Sequence, residues 1–310
     1  MSALNIGVIG IGAFGSRIAL RLLWNGYHTL QLYDVNDVST RQFTNDYGGL
    51  TTGSPKMMAQ SCDAVITVLP SAAELREVCF GWESLAKGFE AGGLVIDIGI
   101  TDPVETVAIA RELAERGIDF VDAPAFGTPA EAKEGKLNMI VGGEERAVER
   151  CRGVLETLAC KVLRAGAAGT AQATSAIADY LRGAELLALS EAIRLGERLG
   201  FEPGALLRTT AELGQADLRT VVLQEMITRR FQSGTSLGMI RRNIELAAKL
   251  AGELQVRAPM LAATRIAWGE AEAALGSGAD HTAVLKWLER LKPPPQAEKK
   301  QDEAGDPPAG

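Results

Sequence analysis

Leu4-Asn-Ile-Gly-Val-Ile-Gly10-Ile-Gly12-Ala-Phe-Gly15-Ser-Arg-Ile-Ala-Leu-Arg-Leu-Leu-Trp24 is the stretch on which the fold turns. A short apolar run ends in three glycines, and the chain restarts at Ser16 with helical periodicity. Glycines at these places permit a tight turn, backbone approach to a pyrophosphate, and close packing of strand on helix. The helix start then offers free N–H groups and the positive end of its dipole to phosphate oxygens. The six residues Gly10, Ile11, Gly12, Ala13, Phe14 and Gly15 are therefore expected to hold a dinucleotide.

Working outward, Asp34 closes the next apolar run, about 20 residues beyond the glycines. A carboxylate there accepts hydrogen bonds from ribose hydroxyls and repels a 2′-phosphate, which points to NAD rather than NADP. The other reading of Asp34 is a cap on the following helix. From residue 4 to about 164, strand-like runs alternate with helical stretches: Leu4–Ile9, Thr29–Tyr33, Ala64–Leu69, Leu94–Ile98, Phe120–Val121, Met139–Val141 and Lys161–Leu163. That alternation predicts an α/β domain, a doubly wound, mostly parallel sheet of Rossmann type with helices on both faces. Runs such as Ala64–Leu69 are apolar throughout, as suits strands buried on both sides.

After Gly169 the pattern changes. Apolar residues recur at 177, 181, 184, 188, 192, 195 and 199, predicting one long helix from Ala171 to about Leu199. Gly200 and Pro203 end it, and further helical segments run to about Arg290. The expected division is a cofactor domain over 1–165, an all-helical domain over 166–291 for substrate and dimerisation, and a disordered tail over 292–310. Five of the twelve prolines fall in that tail.

Composition bounds the chemistry. The chain has 310 residues, 46% of them apolar, enough for a large core. A net charge of −7 argues against a nucleic-acid partner. The four cysteines lack zinc spacing and read as reduced thiols of a cytoplasmic protein. The N-terminus does not resemble a secretory leader, and no apolar run is long enough to span a membrane. Only two histidines, His28 and His281, are present. A metal site is not expected, and proton chemistry must rest on another residue type.

Three further stretches carry a resemblance: Val68-Leu69-Pro70-Ser71, the block Asp122–Gly143, and Gly166-Ala-Ala-Gly169-Thr-Ala-Gln172 with Glu191-Ala192 beyond it. Together with Gly10–Gly15 they resemble the β-hydroxyacid dehydrogenases, which include 3-hydroxyisobutyrate dehydrogenase and tartronate semialdehyde reductase-type enzymes and share a 6-phosphogluconate dehydrogenase-like cofactor domain. The likeness implies an oxidoreductase acting on a small molecule, built as a homodimer or homotetramer. It implies a cofactor lying across the glycine loop, Asp34, Leu69, Pro70 and Glu74, with Ile100 and Thr101 near the nicotinamide and Arg242 close by. Phe126, Gly127 and Thr128 stand where the family has its substrate loop.

The same likeness exposes departures at the reaction centre. The family's catalytic lysine falls on Ser175, and its asparagine four residues later falls on Asp179. The Ser-Gly-Gly of the substrate loop becomes Phe126-Gly127-Thr128, and a Lys-Asp pair becomes Arg242-Asn243. No lysine occurs between Lys161 and Lys249. An unassisted serine holds its proton too tightly to serve as the acid, so Asp179, one turn along on the same face, is the first candidate, with Ser175 beside it. Asp179 as a structural ion pair with Arg182 or Arg242 stays equally open. Three activities remain: hydride transfer to or from a hydroxy or carbonyl carbon, imine reduction, and NAD binding without catalysis.

Overall fold

The computed structural model of the chain describes residues 4–202, 205, 212 and 225–291. The expected tail at 292–310 and the turn at Pro203 lie outside the described residues. The first part is a nine-stranded sheet in the order β3-β2-β1-β4-β5-β6-β8-β7, with β9 on the other edge of β8. Its parallel centre comprises β1 (Ile6–Ile9), β2 (Gln31–Tyr33), β4 (Ala64–Thr67), β5 (Leu94–Asp97) and β6 (Asp119–Asp122). Every residue of β1, β4 and β5 is buried, which is why these runs are apolar at both parities. Ile6 and Val8 pack under α1 (Gly15–Trp24) and α8 (Glu145–Leu158). Ile9, Val65 and Val95 face the opposite layer, with Leu75 of α4 (Ala72–Phe80) and Ile109 of α6 (Pro103–Ala114).

Helix starts follow from local sequence. Asn36 caps α2 (Asp37–Tyr47), Ser71 caps α4, and Asp102 caps α6 through the N–H groups of Val104 and Glu105, with Pro103 in the first turn. The sheet is not wholly parallel. β8 (Leu137–Gly143) runs antiparallel to β6 and to β7 (Ala125–Phe126), and β9 (Ala159–Gly166) is parallel to β8. Two strands are missing from the sequence reading, β3 (Leu50–Thr51) and β7. Each has two residues, too few for any period to show.

α9 (Thr170–Arg198) is the expected long helix, about 43 Å at 1.5 Å per residue. Its buried face is not the one the apolar spacing picked out. Ile177 and Leu181 are 47% and 59% exposed, and Ala188 is exposed as well. The buried face carries Gln172, Ser175, Asp179, Gly183, Leu186 and Leu189. The helix has two apolar stripes, and the interrupted one faces the helical core. There Leu186, Leu189 and Ile193 meet Ile240 and Ile244 of α10 (Leu237–Glu253) and Trp268 of α11 (Pro259–Leu275). At the crossing, Trp268 Nε1 donates to the Gly183 carbonyl at 3.2 Å, and a Cβ at Gly183 would press on Ile244. Among the described residues no helix is long and apolar enough to cross a membrane.

Candidate active site

Three strands, β1, β4 and β5, end side by side, so the segments following them converge at one end of the sheet. The glycine loop follows β1. Gly10 has a φ of +95°, and a Cβ there would collide with the Val68 carbonyl. A Cβ at Gly15 would collide with the Gly10 carbonyl, so α1 starts hard against the loop. At Gly12, by contrast, a Cβ would meet nothing, because that residue faces an open cleft of about 560 Å³. α1 begins with no side-chain cap and no acidic residue in its first turn. Its N-terminus therefore faces the cleft without a resident anion, as a pyrophosphate requires.

The cleft brings together Gly10, Gly12, Ala13, Phe14, Gly15, Asp34, Leu69, Pro70 and Glu74. Its lining includes three carboxylates, Asp34, Glu74 and Glu77, and no lysine or arginine. Asp34 also ties the loop down: Oδ2 accepts the Ile11 N–H at 2.7 Å and Oδ1 the Asn36 N–H at 2.9 Å. The cap on α2 is Asn36, so the capping reading of Asp34 does not hold. Arg242 of α10 donates to the Pro70 carbonyl at 2.8 Å, reaching from the helical domain to the lip of the cleft. Ile100 is partly exposed. Thr101 is turned inward: its hydroxyl donates to Asp97 Oδ2 at 2.7 Å, so its side chain is spent within the protein.

Asp97 and Asp122 sit below this end of the sheet as buried carboxyls without a cationic partner among the described residues. Asp97 accepts from Thr67 Oγ1 at 2.8 Å, from Thr101 Oγ1, and from the Gly99 N–H at 3.3 Å. Burial nonetheless pushes its pKa up to about 6. Asp122 accepts the N–H groups of Gly169 and Gln172 at 2.9 and 3.0 Å, capping α9 from a distant strand. Burial raises its pKa as well. Sequence reasoning missed Gln172, Asp97 and Asp122 as members of the site. For Asp97, a carboxylate ending an otherwise apolar buried strand was the available signal.

On α9, Ser175 and Asp179 lie one turn apart on the buried face, as expected. The Ser175 hydroxyl has no hydrogen-bond partner among the described residues. Asp179 is 3% exposed. Asn243 Nδ2 donates to its Oδ2, and Arg182 Nη1 lies 3.4 Å from its Oδ1. The ion pair with Arg182 is thus present, and the one with Arg242 is not. Desolvation outweighs both partners, so the Asp179 carboxyl holds its proton above the usual carboxylate range. Asp179 Oδ1, despite its ion pair, and Asn243 Oδ1 are both buried with no hydrogen bond, and at Asn243 the deficit costs about 1–3 kcal/mol until a donor arrives.

In the substrate-loop segment, Phe126 is partly buried in β7 and Gly127 adopts a φ of +150°. Thr128 is committed to a capping box on α7 (Pro129–Glu134): its hydroxyl accepts the Glu131 N–H at 3.2 Å while Glu131 accepts the Thr128 N–H at 2.7 Å. The Thr128 methyl faces Gly234, where a Cβ would come within 2.7 Å of it. Thr128 therefore shapes the loop and joins the two halves of the molecule. Its hydroxyl is not free for a substrate. His28 is exposed, and His281 is buried with Nδ1 2.9 Å from Ser233 Oγ, its pKa lowered mainly by burial.

Residues 5–166 match the family described as the NAD binding domain of 6-phosphogluconate dehydrogenase. Residues 169–288 match the one described as NAD-binding of NADP-dependent 3-hydroxyisobutyrate dehydrogenase. L-threonate dehydrogenase of Cupriavidus necator is 30% identical over 296 residues, 95% of this chain and 99% of the relative. The chain belongs to the β-hydroxyacid dehydrogenase family. Escherichia coli 2-hydroxy-3-oxopropionate reductase is another such relative, 27% identical over 93% of this chain and 98% of its own. A solved structure of Mycobacterium tuberculosis 3-hydroxyisobutyrate dehydrogenase with L-serine superposes with a TM-score of 0.84 at 24% identity, covering 92% of this chain and 99% of that one. As a β-hydroxyacid dehydrogenase the chain is an NAD(P)-dependent oxidoreductase, with its dinucleotide domain in the sheet and a helical domain behind it.

Proposed function

We propose that this β-hydroxyacid dehydrogenase uses NAD to move a hydride between nicotinamide and the hydroxy or carbonyl carbon of a small molecule, with Asp179 in place of the family lysine. The observation that carries the reading is the raised, buried Asp179 carboxyl one turn from the unpartnered Ser175 hydroxyl. The cofactor residues fit the group. Gly10–Gly15 and the α1 N-terminus would hold the pyrophosphate, Asp34 the ribose, and Leu69, Pro70, Glu74, Ile100 and Arg242 the remainder. When bound, the nicotinamide supplies or accepts the hydride. The acidic lining supports NAD over NADP, since a 2′-phosphate would bring further negative charge beside Asp34.

In the reductive direction the carbonyl oxygen gains negative charge as the carbon gains hydride. Asp179, protonated at Oδ1, gives its proton to that oxygen directly or through Ser175 Oγ. In the oxidative direction the carboxylate takes the proton back. Asn243 holds Oδ2, which leaves Oδ1, paired with Arg182 when ionised, as the working atom. Phe126 and Gly127 would form the substrate wall, with less dependence on a small carboxylate than the family's serine gives. We also read residues 1–165 as the cofactor domain and 166–291 as the domain for substrate and dimerisation. The exposed Ile177–Leu181–Ala188 stripe supports a homodimer.

Imine reduction is the second reading, favoured by one observation. Asn243 Oδ1 is a buried acceptor with no hydrogen bond, Asp179 Oδ1 beside it has only the ion pair with Arg182, and a protonated imine brings its own donor. A panel of β-hydroxy acids, aryl alcohols and cyclic imines, followed at the reduced-nicotinamide absorbance, separates the two. On any accepted hydroxy or carbonyl substrate, Asp179→Asn is expected to lower turnover by about 10²–10⁴-fold while NADH binding persists. Unchanged turnover would remove Asp179 from the chemistry.

A further inference from the structure

The Gly99–Thr101 turn stands behind Leu69, which lines the cofactor cleft. A Cβ at Gly99 would come within 2.7 Å of the Leu69 carbonyl, so the turn lies directly against the Leu69–Pro70 segment that lines the cleft. Both ends of this turn are held by one side chain from the other half of the molecule. Gln172 Oε1 accepts the Thr101 N–H at 3.2 Å, and Gln172 Nε2 donates to the Gly99 carbonyl at 2.7 Å. The residue is 1% exposed. Its own N–H goes to Asp122 Oδ2, and Asp122 also takes the Gly169 N–H, so the start of α9 is pinned to β6.

A planar amide that both accepts and donates fixes the height and the tilt of the peptide pair it faces. Leu could fill the space and make neither bond, and Asn would fall a methylene short. Gln172 also stands on the stripe that carries Ser175 and Asp179, three and seven residues before them. A single side chain thus joins the turn behind Leu69 to the helix face that carries the proton-handling groups. Hydride transfer tolerates little error between those two sides, since a misplacement of about 1 Å can cost about 10²-fold in rate.

We propose that Gln172 is a positioning residue: it sets the Gly99–Thr101 turn, and with it the nicotinamide end of the cleft, in register with Ser175 and Asp179. This rests on reading the cleft as the nicotinamide site. It does not require Asp179 to be the acid.

The test compares two ligands on the full chain, NADH and ADP-ribose, which lacks the nicotinamide. Gln172→Leu removes both bonds to the turn and touches none of the residues at the pyrophosphate or ribose. By calorimetry it is expected to bind ADP-ribose within about twofold of wild type and NADH about tenfold more weakly, the size of one or two net hydrogen bonds. The emission of bound reduced nicotinamide is expected to move toward that of free NADH. Equal losses for both ligands would show that Gln172 merely holds the fold, and no loss for either would show that the turn needs no clamp. Both results overturn the proposal. If Gln172→Leu does not fold, Gln172→Glu keeps the acceptor for Thr101 and regains the donor only when protonated. Its NADH affinity relative to wild type is then expected to recover as pH falls, with Asp97 and Asp122, the carboxyls nearest the turn and the helix start, common to both proteins. A constant ratio across pH contradicts the clamp. Failure of Asp179→Asn to slow turnover would leave this comparison untouched, so the two readings fail separately.

Discussion

At the scale of single residues, the Asp179–Asn243 contact is the most informative. The family resemblance places asparagine at 179 and aspartate at 243, whereas this chain has the reverse, and the two side chains meet. The pair is kept while the carboxylate changes helix, which brings it within one turn of Ser175. Neither residue alone, nor their separation of 64 in sequence, could show that they touch. Asp34 was legible because its position after the second strand has a fixed meaning in this architecture. Its second bond, to the Ile11 N–H, was not. Asp34→Ala is accordingly expected to weaken NADH binding and to narrow the preference for NADH over NADPH by about tenfold, through the lost repulsion of a 2′-phosphate. Titration of both cofactors by nicotinamide fluorescence measures it, and an unchanged ratio would remove Asp34 from cofactor choice. Thr128 shows a signal present but unread: Thr128-Pro-Ala-Glu131 is a capping-box sequence, and capping is where the structure spends its hydroxyl.

At the scale of elements, buried parallel strands announced themselves by continuous apolar runs, and short or edge strands did not. β9 is mostly exposed and β8 alternates at its start, so both run longer than their apolar centres suggested. β5 ends in Asp97, whose pKa of about 6 stands above the usual carboxylate value near 4. The folded protein therefore binds more protons than the unfolded chain between those values. By linkage, stability falls as pH rises from about 4 to about 6, and the cost is fully present above that window. Asp97→Asn removes the titration, and the melting temperature is expected to vary less with pH across that window than in wild type. Parallel curves for the two proteins would mean that Asp97 does not titrate there. Asp122 is raised in the same direction and remains in both proteins, so the difference between the curves isolates Asp97.

At the scale of the whole molecule, the order of a Rossmann sheet followed by a helical domain was legible from where strand patterns stop. The face of α9 that turns inward was not, because two apolar stripes on one helix look alike until a partner is chosen. Lys249 pairs with Asp102 and Arg242 reaches Pro70, so α10 ties the two halves together beside the cofactor cleft. The outward stripe is the surface we propose for pairing with another copy of the chain. Leu181→Glu is expected to shift light-scattering mass toward the monomer with little change in melting of the monomer itself, and a monomeric wild type would contradict that use of the stripe. What unites the site across both halves is the proton. The direct measurement is kcat/KM against pH in the reductive direction for wild type and Asp179→Asn. Wild-type activity is expected to fall as pH rises through the raised pKa of Asp179, because only the protonated carboxyl can serve the forming alkoxide, and Asp179→Asn is expected to lose that step along with most of its rate. The same pH step in both proteins would place the acid elsewhere.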